Sequence, residues 1–343
     1  MHNSQFVKDD SLLQVKRSML NNKNAICRYH YKDSVEYINS SFLISCYIIN
    51  ALFTLVTNGF LILGLHITNK NKKFTRNEKL VFILSISDIL NALIVSPSQI
   101  ILLKLIDSLG CFEISIITFF RVWLLGLSGT IFILISCERY LTVFYNNKIC
   151  GVIIKDSYLF RYLLFVMSFT FTMAVLYSVV YITLSMHLHF IIFIGTGCFT
   201  LALLSMIVII NLLMLIQTKR KWKTNSIRVQ KNIKIKNYIT KTVVIISLTH
   251  VIFYAPCLIT QYYLSFVYSK NDIFQIPAVI QVLLWTVVVR EASSWINALV
   301  YALRNRKISK IIGSRISLLL SNFNQMARPI QEVSSDNRST SAM

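Results

Sequence analysis

The sequence predicts an all-α membrane protein: a seven-transmembrane-helix bundle with a short amphipathic eighth helix. Three observations point there. The 343-residue chain is 55% hydrophobic and only 14% charged, where a soluble domain averages about 25% charged, and its mean hydropathy is +0.60. Seven apolar runs lie at 42–68, 79–103, 112–140, 158–182, 189–216, 238–266 and 275–303; one spanning helix needs roughly 20 such residues. Lys and Arg gather in alternate connections between the runs. The runs are long and apolar all round, unlike the short alternating strands of an outer-membrane barrel. They divide the chain into a polar tail (1–41), a helical domain (42–303), an amphipathic stretch (304–315) and a tail expected to be disordered (316–343), Ser-rich from Ser334 to Ser341.

The net charge of +21 is placed as membrane topology requires rather than as a nucleic-acid footprint. Lys70, Lys72, Lys73, Arg76 and Lys79 join the first two runs, and Arg139, Lys148, Lys155 and Arg161 border the third connection. Nine basic residues lie from Lys219 to Lys241 and seven follow Leu303, whereas the intervening connections hold Lys104 and Lys270. Positive residues stay cytoplasmic, which places the N-terminus outside and the C-terminus inside, with the basic loops against anionic lipid. Residues 1–41 lack the apolar core of a signal peptide, so the first run is expected to act as its own insertion signal. Asn39-Ser40-Ser41 is a glycosylation sequon that abuts the first run. Cys46, Cys137, Cys198 and Cys257 fall within runs, and Cys150 on the reducing side. Cys27 and Cys111 are the outer-side pair, and spacing alone leaves their bridging open.

Taken in order, the runs carry polar residues that lipid does not tolerate without a partner. The first has Asn58-Gly59. The second has Asp88 near mid-membrane, with a translocon cost of about 3 kcal/mol, and Pro97, which is expected to kink it. The third has Arg121 and Ser128, and closes on Ser136-Cys137-Glu138-Arg139-Tyr140. Arg121 stands eighteen residues before Arg139, roughly 27 Å away along a helix. The sixth has Phe253-Tyr254-Ala255-Pro256, where Pro256 removes a backbone hydrogen bond and makes a hinge; Gln261 lies five residues beyond. The seventh has Arg290-Glu291, Ser293-Ser294 and Asn297-Ala298-Leu299-Val300-Tyr301. The basic, amphipathic stretch after it is expected to lie along the membrane surface.

Asn58, Asp88, Arg139, Pro256, Asn297 and Tyr301, in one register across the helices, resemble the rhodopsin-like G-protein-coupled receptors over residues 42 to about 315. Arg139-Tyr140-Leu141-Thr142-Val143-Phe144-Tyr145 looks like the second intracellular loop of the melanocortin receptors. The very short fourth-to-fifth connection without Cys, and the fifth run without Pro, are similar to that group and in part to its cannabinoid and lysophospholipid relatives. Departures from the pattern are Tyr254 for the usual Trp, Ala298 for the usual Pro, and the missing Trp in the fourth run.

The resemblance implies a plasma-membrane receptor that binds an extracellular ligand and activates a heterotrimeric G protein, with arrestin as a further cytoplasmic partner. It implies that Glu138, Arg139, Tyr140, Tyr254, Pro256, Asn297 and Tyr301 form the coupling and switch apparatus. Asp88, Ser128, Ser293, Ser294 and Asn297 match the family's sodium-binding positions, and Arg121, Gln261 and Glu291 fall where ligand is bound. By the family register Arg121 and Glu291 face each other across the cavity, so a salt bridge between them is expected. Lys236 stands where many relatives have the acidic latch that closes on Arg139, which suggests raised basal activity. Ser98, Ile114 and Thr118 replace the acidic residues that melanocortin receptors use, so a basic peptide of that type is not supported, and the ligand class stays open. The alternatives are a non-signalling decoy or scaffold receptor, which Ala298 and Tyr254 keep open, and a secondary transporter, which expects paired repeats that are not seen. No nucleophile–base or metal-ligand constellation indicates an enzyme, and no cofactor beyond the sodium ion is expected.

Overall fold

The computed structural model describes residues 40–70, 73–105, 108–144, 156–183, 186–224, 230–269, 276–305, 308–310 and 313–314. Among them there is no strand. Seven helices are long and apolar enough to cross a membrane: α1 (Ser40–Thr68), α2 (Arg76–Leu105), α3 (Cys111–Phe144), α4 (Asp156–Thr183), α5 (Met186–Thr224), α6 (Gln230–Ser269) and α7 (Ile276–Arg304). Six contain an apolar run read from the sequence, and α7 begins one residue inside the seventh run.

The helices pack as a closed bundle. Neighbours in sequence are neighbours in space, α7 returns to α1, and α3 runs through the middle against α2, α4, α5 and α6. Large apolar side chains such as Phe42, Phe53, Phe165, Leu212 and Ile259 point outward and stay exposed, as lipid-facing surface does. The core behind them is continuous near the Arg139 end, where Leu61, Leu80, Ile131 and Ile207 are buried together. A second cluster at the opposite end joins Leu43, Tyr47, Leu264, Leu284 and Val287.

Local chemistry sets several element boundaries. Thr75 caps α2: its hydroxyl accepts from the Glu78 N–H at 3.4 Å, and Glu78 Oε2 accepts from the Thr75 N–H at 2.8 Å. This reciprocal box satisfies donors that a helix start leaves open. Pro97 does not simply kink α2. A π-helical turn, Asn91–Val95, precedes it, and the Ser96 N–H reaches back five residues to the Asn91 carbonyl. Proline offers no N–H and crowds the carbonyl four residues before it; the extra residue of a π turn accommodates both. Pro256 sits inside α6, which continues unbroken on either side.

The ends of α5 and α6 go beyond the expected runs. These helices contain 39 and 40 residues, roughly 60 Å at 1.5 Å per residue, about twice the hydrocarbon thickness. Their excess at one end carries Lys219, Arg220, Lys221 and Lys223 on α5 and Lys231, Lys234 and Lys236 on α6.

Small residues and hydroxyls let helices meet closely. Ser115 and Ser178 exchange hydrogen bonds to each other's carbonyl, at 2.9 and 3.2 Å, joining α3 to α4. On α1 three ties run the length of the seam with the chain's C-terminal part. Asn50 donates to the Val288 carbonyl at 3.0 Å and accepts from Trp295 Nε1 at 3.2 Å. Asn58 donates to Thr54 and Ser294 carbonyls at 3.1 and 3.5 Å. Gly64 faces the fully buried Ile308, whose Cγ2 lies 2.8 Å from where a β-carbon would stand. Residues 308–310 and 313–314 are helical, a stretch too short to define the eighth helix expected over 304–315. Cys27, Asn39, Cys150 and residues 316–343 lie outside the described residues, as does the side chain of Lys236.

Candidate functional site

Three polar layers cross the bundle. The first is at the Arg139 end. Arg139 Nε donates to Asn77 Oδ1 at 3.0 Å, and Asn77 Nδ2 donates to the Tyr301 hydroxyl at 2.8 Å. One asparagine thus ties the Arg of α3 to the Tyr of α7 through α2. Glu138 Oε2 lies 3.5 Å from Arg139 Nε, and both side chains remain partly exposed. Tyr140 follows, half-buried. Asn77 is 5% exposed and was not singled out from the sequence, because a polar residue beside a basic connection reads as interfacial. The signal that could have found it is its place in the first turn of α2, in the same layer as Arg139.

The second layer surrounds Asp88, which is buried. Ser128 and Ser294 each donate to Asp88 Oδ1, at 3.3 and 3.2 Å, and Ser128 shares a further hydrogen bond of 3.0 Å with Ser87. A small cavity of about 30 Å³ opens beside it, lined in part by Asn58, Asp88, Ser136, Asn297 and Tyr301. That volume exceeds the roughly 10–15 Å³ needed for a water. Asn297 Oδ1 and Ser136 Oγ have no hydrogen-bond partner. The cavity therefore offers a carboxylate, an orphan amide oxygen and hydroxyls, the oxygen donors a hard cation takes. Ser293 is buried on the same stretch of α7, but Asp88's hydrogen bonds come from Ser128 and Ser294. Ala298 lines this cavity where a proline would stand in the family pattern.

The third layer is a larger cavity of about 130 Å³ toward the other end of the bundle. Its polar lining includes Arg121, Arg290, Gln261, Thr196 and His250, and its apolar walls include Leu125, Phe199, Leu203 and Leu204. Gln261 Nε2 donates to Thr196 Oγ1 at 2.9 Å, linking α6 to α5 across it. At its floor Tyr254 stacks on His250 with ring centroids 3.9 Å apart, and His250 lies 4.4 Å from the Phe132 ring of α3. Arg290, 5% exposed, donates to Cys257 Sγ at 3.6 Å, and its guanidinium carbon stands 5.9 Å from the Tyr254 ring centroid.

Arg121 and Glu291 do not form the expected salt bridge. Neither carboxylate oxygen of the buried Glu291 has Arg121 within hydrogen-bond distance; Arg290 and Arg121 act on the carboxylate through space, and the Ser96 hydroxyl lies beside it. Register places two charges at one depth, but side-chain direction decides whether they meet. Arg121 and Arg290 line the cavity, whereas Glu291 is not part of its lining. Arg290, the neighbour of Glu291 in the sequence, is the α7 charge that the cavity presents.

Cys111, at the start of α3, is disulfide-bonded; Cys27, the partner considered from the sequence, lies outside the described residues. Cys46, Cys137, Cys198 and Cys257 are free thiols. Among the described residues no group of three or more His, Cys, Asp or Glu side chains could hold a metal ion. No protein-family model and no curated protein sequence matches this chain.

Proposed function

We propose that the chain is a receptor of the rhodopsin-like type, which binds an extracellular ligand and activates a heterotrimeric G protein at its basic, cytoplasmic end. The observation that carries this reading is the Arg139–Asn77–Tyr301 chain of hydrogen bonds. It joins α3, α2 and α7 at the end where the basic connections lie, while a cavity of about 130 Å³ opens toward the other end. A buried polar link of this kind is a two-state element: intact, it holds the three helices together, and broken, it frees Arg139 for a partner. Arrestin would compete for the same opening. Seven membrane-length helices also suit a transporter, but the polar layers are stacked at different depths rather than gathered at one midplane site.

In this reading an agonist shifts the population toward the open form because it binds that form better, and α6 swings about Pro256. Sodium would be held by Asp88, Ser128, Ser294 and Asn297, with Ser293 behind them. It would supply positive charge that offsets the burial of Asp88 and favours the closed form.

The test is G-protein activation in membranes from cells expressing the full chain. Expected is nucleotide exchange above that of untransfected membranes, lost in Arg139→Ala at equal surface level. Exchange that is the same with and without the chain, across ligand extracts and several G-protein classes, would leave the decoy or scaffold reading in its place. Where an active extract is found, added sodium should lower agonist affinity in the parent chain and leave Asp88→Asn unchanged; equal sensitivity in both would remove the ion from the account.

A further inference from the structure

The larger cavity has an electrostatic character that the receptor reading leaves unused. Two guanidinium groups, Arg121 from α3 and Arg290 from α7, line it, and no carboxylate is among the described residues that do. Both act through space on the same carboxylate, that of Glu291, so they lie in one region of the cavity. Arg290 is 5% exposed, and the polar contact shown for it is the Cys257 thiol at 3.6 Å. A thiol is a weak acceptor, while a guanidinium carries five donors and keeps its charge at any pH a protein meets. The face of Tyr254, at 5.9 Å, adds a modest cation–π attraction. The Glu291 carboxylate offsets part of the charge of two guanidiniums but takes none of Arg290's hydrogen bonds, and guanidinium forks suit carboxylate and phosphate oxygens.

The rest of the wall selects what the anion is attached to. Leu125, Phe199, Leu203 and Leu204 make it apolar. At about 130 Å³ it falls below the roughly 300–1,000 Å³ of cavities that enclose drug-sized ligands. This space suits one slender apolar body and not a folded peptide.

We propose that the cavity binds an anionic amphiphile: a carboxylate or phosphate head on Arg121 and Arg290, and a single apolar body along the leucines and Phe199. This deepens the receptor reading and rests on it for its signalling consequence, but not for binding. The consequence follows from Arg290's position. A head group that draws its guanidinium away from the Tyr254 ring releases one side of the stack formed by Tyr254, His250 and Phe132. That stack spans α6 and α3, so occupancy would bias the helix pair that Pro256 hinges.

The experiment measures binding to the purified full chain in lipid nanodiscs, by thermal stabilisation and by displacement of a labelled straight-chain carboxylate. The probes share one chain length and differ in head group: carboxylate, phosphate monoester, neutral alcohol and primary amine. Saturable binding of either anion, with neither the alcohol nor the amine competing, is expected; the stronger of the two anions tells which head group is used. Arg290→Gln and Arg121→Gln should each weaken the anion by about 30-fold or more, since losing one partner of a buried charged contact is costly. Arg290→Lys, which keeps the charge but loses the fork, should weaken the anion several-fold. Equal binding of alcohol and carboxylate would show apolar uptake only and overturn the proposal, as would preference for the amine or indifference to all three substitutions. The G-protein assay separates the two readings. Anion binding without nucleotide exchange leaves this proposal standing and removes the receptor; exchange driven by another ligand, with no anion binding, does the reverse.

Discussion

Asn77 holds two partners at once. Its carbonyl oxygen accepts from Arg139 and its amide donates to Tyr301, so its removal takes a partner from each and leaves Arg139 with Glu138. Asn77→Ala should lower thermal stability by an amount corresponding to about 1–3 kcal/mol and raise basal nucleotide exchange, because Arg139 is released. Tyr301→Phe breaks one of the two bonds and should show a smaller loss. An Asn77→Ala protein as stable and as quiet as its parent would show the link to be incidental. The Glu291 carboxylate, which makes no hydrogen bond to Arg121, leads to a different expectation. Were it bridged to Arg121, charge reversal on both sides would rescue the single reversals. In this structure the two are not joined, so Arg121→Glu with Glu291→Arg should reach the surface no better than the worse single variant. Recovery in the double would restore the pair. Both cases show where sequence reading stops. A mid-membrane carboxylate has to find partners, but it was the resemblance, through its sodium-binding positions, that grouped Asp88 with Ser128 and Ser294 in advance. Depth alone could not say which way Arg121, Arg290 and Glu291 point, nor that a residue beside a basic loop turns inward.

At the scale of elements, apolar length was sufficient to locate all seven helices, since a spanning helix must satisfy its own backbone. What length cannot give is local winding. Pro97 was legible as a disturbance, but the π turn Asn91–Val95 that absorbs it depends on how α2 settles against α1 and α3. The junction of Gly64 with Ile308 was equally hidden, because it joins residues far apart in the chain. A β-carbon at position 64 would stand 2.8 Å from Ile308 Cγ2, and the β-branched Ile308 side chain has little freedom to withdraw. Gly64→Val should therefore destabilise by about 1–3 kcal/mol, the usual range for overpacking, read as a lower melting temperature in detergent. Adding Ile308→Ala should recover part of the loss. A Gly64→Val protein that melts like its parent would mean that residues 308–310 do not rest on α1.

For the whole molecule, the stacked layers put the two cavities on either side of an aromatic partition. The larger has Tyr254 and His250 in its wall, and the smaller has Phe132 in its own. Coupling between ends of the bundle then passes through contact between α3 and α6 rather than through a continuous polar channel. Tyr254→Leu should keep the apolar floor and lose the ring that faces Arg290. Ligand affinity should change little, while activation per bound ligand falls several-fold. An equal loss of binding and activation would make Tyr254 part of the ligand's own seat.

The ties along α1 also bear on how the chain is made. Asn50 and Asn58 enter the bilayer with the first helix synthesised, yet their partners Val288, Trp295 and Ser294 belong to the last. Until translation ends, Asn58 has its bond to Thr54 one turn back, and Asn50 has no comparable local acceptor among the hydrogen bonds of the finished fold. A nascent chain therefore carries an unsatisfied amide in lipid through most of its synthesis, a feature that quality control in the endoplasmic reticulum can read as incompleteness. A chain ended after Ser269 should be retained and degraded there, and co-expression of the missing segment from Ile276 onward should let a fraction of the two pieces reach the cell surface together. With Asn50→Leu, the truncated chain should be retained less strictly.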